Sequence, residues 1–268
     1  MAGAINDLVL TFRFFRNNTW RRGGITFEPV FRKIEIFLRR FGRYSLRDYI
    51  MTVDYTSSLL ENVHRDILSP EPGRSFLVRG DYEYWHYGCD GFNDKGWGCG
   101  YRTLQTICSW ITKTRKLEQS APSVRGVQEI LVALEDKEKS FIGSREWIGS
   151  FEVCLVLNHL YEVLSKIVHV RSGKELSGQI AVIKTHFQEF GSPIMMGGDM
   201  DCSSKCIVGI HEGVENTYML IVDPHFVGQA KSNEQLVSQH WVKWQKLADF
   251  VDSSFYNLCL PQITGPAQ

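Results

Sequence analysis

One cysteine in this chain stands where a thiol becomes a nucleophile. Cys99 lies in Gly96-Trp97-Gly98-Cys99-Gly100-Tyr101, and the apolar residues Leu104, Ile107, Cys108 and Ile111 recur behind it at spacings of three and four. That spacing predicts a helix beginning at or near Cys99, with Arg102, Gln105 and Ser109 off its apolar face. At a helix N-terminus the unpaired amide N–H groups and the positive end of the macrodipole favour an anion, which lowers the pKa of a thiol. The flanking glycines let a second backbone approach the sulfur. An isolated cysteine is most often a small buried hydrophobe, so Cys99 reads as reactive only if a base stands beside it.

Asp223-Pro224-His225 supplies the candidate base. It follows Tyr218-Met219-Leu220-Ile221-Val222, an apolar run of strand length. Alternate side chains of an extended backbone share a face, and Pro224 biases Asp223 away from helix. Asp223 and His225 can then stand side by side at a strand end. There the carboxylate would fix the imidazole tautomer and leave the other ring nitrogen facing the thiol. Alone, Asp-Pro-His is a turn after a strand; with Cys99 it completes a nucleophile, a base and an orienter.

The elements that must carry these groups are legible in outline. After the Cys99 helix, residues 127–134, 150–163 and 175–190 have helical spacing, the second of them apolar enough for the core. Residues 165–170, 193–196, 205–211, 217–222 and 254–260 read as strands, with 212–216 as a hairpin loop. Residues 141–150 form a loop punctuated by glycine, in which Arg145 and Trp147 could line a substrate groove or serve as packing anchors. Helices first and mostly antiparallel strands later predict an α+β layer architecture. No internal repeat interrupts it.

Four segments together resemble the cysteine proteases specific for ubiquitin-fold modifier 1 (UFM). They are the stretch from Gly96 to Trp110, Gly143-Ser-Arg-Glu-Trp-Ile-Gly149, Asp223-Pro-His225 and Tyr256-Asn-Leu-Cys-Leu260, and they span about residues 80 to 262 in the family's order. Gly197-Gly-Asp-Met-Asp201 and the lack of a long N-terminal domain resemble the short form of that family. The resemblance implies a papain-like fold in which Cys99 is the nucleophile, His225 the general base and acid, and Asp223 its orienter. It also implies that Tyr87, twelve residues before Cys99, serves the oxyanion hole. The implied reaction is cleavage after the C-terminal glycine of UFM, which matures its precursor or releases it from conjugated proteins. No cofactor is implied. A glycine before the cut suits a narrow channel, and Trp97 is an aromatic that could close on it. Proteases of the autophagy modifier also carry Gly-Trp-Gly-Cys and Asp-Pro-His, and a deubiquitinase shares the domain; an inactive modifier-binding adaptor is the alternative without catalysis. Gln105-Thr-Ile-Cys-Ser-Trp110 and the 143–149 motif favour the UFM branch.

Composition narrows the remaining classes. The 268 residues are 43% apolar, enough for one sizeable core, and thirty basic residues balance thirty acidic ones. That balance gives no reason to expect nucleic acid as a partner, and no apolar run approaches a membrane span. Seven cysteines without regular spacing or a secretory signal point to reduced thiols in a cytoplasmic or nuclear compartment. A monomer is expected. Cys89, Cys99, Cys202 and Cys206 with His86 and His225 could in principle ligate zinc, but their spacing fits no structural template, and no metal is expected. Asp199 and Asp201 read as turn or cap residues, and His159, His169 and His186 as structural or surface residues. Residues 1–50 differ from the rest, carrying ten Arg or Lys against four acids. They read as an optional extension upstream of Met51, a docking segment or a targeting segment. Residues 65–75 read as a linker, so the division expected is 1–75 as basic extension and linker and 76–268 as the protease domain.

Overall fold

A computed structural model describes residues 59–200 and 203–263. The basic stretch at 1–50, Met51, and the candidate residues Asp201 and Cys202 lie outside the described residues.

Seven strands form one antiparallel sheet. β1 (Gly73–Leu77), β2 (Ser165–Val170), β3 (Ile194–Gly198), β4 (Ser204–Gly213), β5 (Thr217–Val222), β6 (Val242–Lys246) and β7 (Tyr256–Pro261) are arranged β2-β7-β3-β4-β5-β6, with β1 on β4. The long β4 pairs its first half with β3 and its second half with β1, through Met195↔Cys206 and Phe76↔Ile210. Along its other edge it pairs with β5, through Ile207↔Ile221. The helices α1 (Cys99–Arg115), α2 (Val124–Ala133), α3 (Ser150–Tyr161), α4 (Ile180–Glu189) and α5 (Asn233–Ser238) complete the α+β architecture that the element order implied. α1 packs against β3 and β4, α3 against β2, β3 and β7, and α4 against β1 and β4.

α1 holds the site because it is sunk in the core. Every residue from Cys99 to Thr112 is buried, and the apolar spacing is accordingly only part of its packing. Leu104, Ile107, Trp110 and Ile111 are fully buried, each worth about 1.5–3 kcal/mol of transfer free energy on the usual scale. Arg102, Gln105 and Ser109, off the apolar face, are buried as well and satisfied internally. Gln105 Nε2 donates to Pro122 O at 2.8 Å, and Ser109 Oγ accepts the Glu83 N–H at 2.9 Å.

Three expectations shift in detail. The segment read as linker contributes Gly73, Arg74 and Ser75 to β1, because strand pairing with Gly213–His211 uses backbone groups that a Pro- and Gly-rich sequence does not advertise. The helix expected over 175–190 divides: Gly173–Gln179 winds as 3-10 turns, and α4 follows from Ile180. α3 is only half-buried, with Phe151 exposed and Val153, Val156 and Leu157 in the core.

Candidate active site

The turn before α1 delivers Cys99 as the first residue of the helix. Gly98 is its N-cap and makes no side-chain cap bond, and the first turn contains no acid. The first amide N–H groups of a helix have no intrahelical acceptor, so an anion is favoured beside them. Cys99 is 7% exposed, accessible at one edge and otherwise enclosed.

β5 ends at Val222, and the chain continues through Asp223-Pro224-His225 with both side chains on the same side. Asp223 Oδ1 lies 2.5 Å from His225 Nδ1 and accepts the His225 N–H at 3.0 Å. This fixes the proton on Nδ1 and turns Nε2 outward. Tyr84 anchors the segment from behind, its hydroxyl donating to Asp223 O at 2.5 Å. The sequence did not point to Tyr84; its only signal is alternation with Tyr82 and His86 ahead of the glycine loop.

The His225 imidazole, the Ser204 N–H and the Tyr87 hydroxyl stand near enough to Cys99 to act on its thiol. Burial pushes the Cys99 thiol up. Against it the hydrogen bond and charge of His225, the Ser204 N–H and the Tyr87 hydroxyl bring the thiol below its ordinary value. Burial likewise depresses the imidazole, but the bond to Asp223, the bond to Cys99 and both negative charges raise it to about 9. Asp223 is raised by burial and lowered further by His225 and Lys205, so it stays below the usual carboxylate range. The two shifts both favour the thiolate–imidazolium pair over the neutral one.

Tyr87 lies against this pair. Its N–H donates to Pro224 O at 3.0 Å, and it bridges to Val227 beyond His225. Burial and the charge of Cys99 push its phenol well up, so it remains a donor. Ser204 is the first residue of β4, and its hydroxyl donates to Thr103 Oγ1 on α1 at 3.0 Å. That contact docks the start of β4 on the nucleophile helix. A backbone donor such as the Ser204 N–H leaves no trace in residue types.

The two tryptophans singled out in the sequence are placed differently. Trp97 is 8% exposed and packs edge-on between Phe92 and Tyr101, with centroids 5.9 and 5.6 Å away. Trp147 is 53% exposed. It precedes Ile148, whose carbonyl is so near α1 that a Cβ on Gly100 would stand 2.5 Å from it. The 143–149 loop is thus seated beside the nucleophile, fixed further by Tyr101 Oη donating to Glu146 O at 2.9 Å.

Several of the described residues considered for metal are engaged otherwise. Among the described residues no three His, Cys, Asp or Glu side chains are grouped to hold a metal ion. His86 packs between Tyr84 and Phe226, and Cys206 is buried with its thiol pushed well up by burial. Asp199 closes a turn, accepting from Ser254 Oγ at 2.7 Å and Phe255 N at 3.0 Å.

Residues 73–259 match the sequence profile of peptidase family C78. The chain belongs to that family. As a C78 member it is a cysteine peptidase, and several relatives share most of it. Ufm1-specific protease 1 of Mus musculus is 44% identical over 76% of this chain and 94% of that protein. Probable Ufm1-specific protease 1 of Drosophila melanogaster is 41% identical over 79% and 90%. The crystal structure of UfSP from C. elegans superposes with a TM-score of 0.68 at 30% identity, covering 88% of this chain and 46% of that one. The fold of this C78 peptidase is therefore the papain-like α+β fold implied by its motifs.

Proposed function

We propose that this C78 peptidase cleaves after the C-terminal glycine of ubiquitin-fold modifier 1, both in its precursor and in its conjugates. The observation that carries the reading is the Asp223–His225 hydrogen bond set beside Cys99 at the head of α1, in a chain 44% identical to a Ufm1-specific protease 1.

In this reading the Cys99 thiolate attacks the glycine carbonyl carbon, and the new oxyanion takes hydrogen bonds from the Cys99 N–H and the Tyr87 hydroxyl. His225 gives its Nε2 proton to the leaving amine as the C–N bond breaks, and a thioester remains on Cys99. His225 then accepts a proton from water, which attacks the thioester and releases the carboxylate product and the Cys99 thiolate. Asp223 holds the Nδ1 proton throughout. No cofactor enters. The exposed Trp147, on the loop whose Ile148 is seated against Gly100, is the aromatic available to an incoming glycine tail, whereas Trp97 is packed within the core. We place the activity in a reducing compartment, the cytoplasm, because a thiolate nucleophile is preserved there, and we take the monomer as the working unit.

Labelling with three probes tests this, each a ubiquitin-like protein bearing a C-terminal electrophile: UFM, ubiquitin and the autophagy modifier. Rapid adduct formation with the UFM probe alone, abolished in Cys99→Ala, is expected. Labelling by another probe would keep the peptidase and replace its substrate, and failure with all three while the UFM protein still binds would make the chain an adaptor.

A further inference from the structure

The loop joining Tyr87 to Cys99 contains a buried carboxylate that no catalytic step uses. Asp94 and Arg102 are both 0% exposed, and Asp94 Oδ2 accepts from Arg102 Nε at 2.7 Å. Arg102 also donates from both terminal nitrogens to Asp90, at 2.9 and 2.8 Å. Asp90 alone would balance the guanidinium. A second carboxylate beside it is costly to desolvate, and what else it grips indicates why it is there.

Asp94 grips both sides of the oxyanion site. Its Oδ1 accepts the N–H of Gly88, the residue after Tyr87, at 2.8 Å. Its backbone carbonyl accepts the Trp97 N–H at 3.1 Å and the Gly98 N–H at 2.8 Å, closing the turn that leads into Cys99. A Cβ on Gly98 would stand 2.2 Å from Asp94 Oδ2, so the carboxylate fits under the turn only because residue 98 has no side chain. Tyr87 is tied on its other side to the His225 segment, through Pro224 O.

We propose that Asp94 is a positioning residue of the oxyanion site, a spacer that holds the Tyr87–Gly88 backbone and the Cys99 turn at the separation where the Tyr87 hydroxyl and the Cys99 N–H converge on one oxygen. The inference rests on the peptidase reading above. Asp94 touches neither substrate nor sulfur; it acts through Tyr87. Tyr87 is the smallest of the influences on the Cys99 thiol, so loss of Asp94 should affect turnover far more than the nucleophile's own reactivity.

The test is a double-mutant cycle on the full chain, with Asp94→Asn in wild-type and Tyr87→Phe backgrounds and a UFM C-terminal coumarin amide as substrate. Asn keeps the size of the side chain but opposes an amide to Arg102 Nε, while Asp90 continues to balance Arg102. In the wild-type background kcat should fall about tenfold or more, with KM within about twofold. In the Tyr87→Phe background the same change should cost less than about twofold, because the donor it positions is already gone. Alkylation of Cys99 by iodoacetamide, which needs no oxyanion hole, should stay within about twofold of wild type. Equal losses in both backgrounds, full kcat in Asp94→Asn, or alkylation falling in step with kcat would each overturn the inference. Should Asp94→Asn not fold, Asp94→Glu retains the charge and lengthens the spacer; the same loss confined to kcat is expected, and wild-type kcat would overturn the inference. A wild-type chain inactive on the substrate would instead defeat the proposed UFM-cleaving function.

Discussion

The ring of Tyr87 meets the imidazole of His225 edge-on, with centroids 5.2 Å apart at 86°, while the Tyr87 N–H donates to the carbonyl of Pro224 at 3.0 Å. The candidate oxyanion donor and the candidate base are thereby one packed unit, although 138 positions separate them in the chain. Substrate binding need not assemble them, and preorganised donors of this kind contribute most to stabilising developing charge.

Tyr87→Phe keeps the ring against His225 and removes only the hydroxyl. On the proposed mechanism kcat should fall about ten- to a thousandfold, with KM close to wild type. Steady-state kinetics on the UFM coumarin amide separates the two. A rise in KM with kcat preserved would make Tyr87 a substrate-binding residue.

The pH dependence follows from opposite shifts on the two partners. Below the depressed thiol pKa of Cys99 the nucleophile is protonated; above about 9 His225 has lost the proton it must give to the leaving amine. The profile of kcat/KM should be a bell whose alkaline limb lies near pH 9 and whose two limbs belong to the coupled pair. Asp223→Asn removes the strongest support of the imidazolium, leaving Cys99 alone to oppose burial. The alkaline limb should move to lower pH and kcat should fall by about two to four orders of magnitude. An alkaline limb unmoved in that variant would show that another group sets it.

Strands 165–170 and 217–222 were legible residue by residue because their signal is local: β-branched and apolar side chains bounded by turn residues. The α+β order followed from the same kind of signal. What sequence could not supply was long-range or carried by backbone. Arg102 reads as a polar residue off a helix face, and only the fold shows Asp90 and Asp94 folded back over it. The Ser204 N–H has no residue type to betray it, and Trp97, read as a channel wall, is packed inward by Phe92 and Tyr101. α4 begins later than its spacing suggested because apolar periodicity does not distinguish the 3-10 turns of Gly173–Gln179 from the helix that follows.

The contact between Ser204 and Thr103 makes a prediction about the sulfur. Thr103→Val is nearly isosteric but cannot accept from Ser204 Oγ, so the start of β4 is freed and the Ser204 N–H drifts from Cys99. Losing part of one hydrogen bond to the thiolate should raise the acid limb of the pH profile by about half a unit to one unit. Iodoacetamide alkylation at pH 6 should slow accordingly. Thr103→Ser keeps the hydroxyl and should behave as wild type; a shift as large in Thr103→Ser would assign the effect to packing.

Gly100, next to the nucleophile, tests the seat of the 143–149 loop. A Cβ there would stand 2.5 Å from Ile148 O and 3.0 Å from Ile148 Cγ1. The nearer atom is backbone, so relief requires the whole segment to move, carrying Trp147 with it and straining the Tyr101 bond to Glu146 O. Gly100→Ala should destabilise the fold by about 1–3 kcal/mol, the usual range for overpacking. For a domain of this size that is a drop of about 2–12 °C in Tm. It should also lower kcat/KM on the UFM substrate, since the displaced loop borders Cys99. Adding Ile148→Ala removes the Cγ1 contact and leaves the carbonyl contact in place, so the double variant should remain as impaired as Gly100→Ala. Recovery of kcat/KM in the double variant would show that the side chain, and not the backbone of the loop, is what Gly100 accommodates.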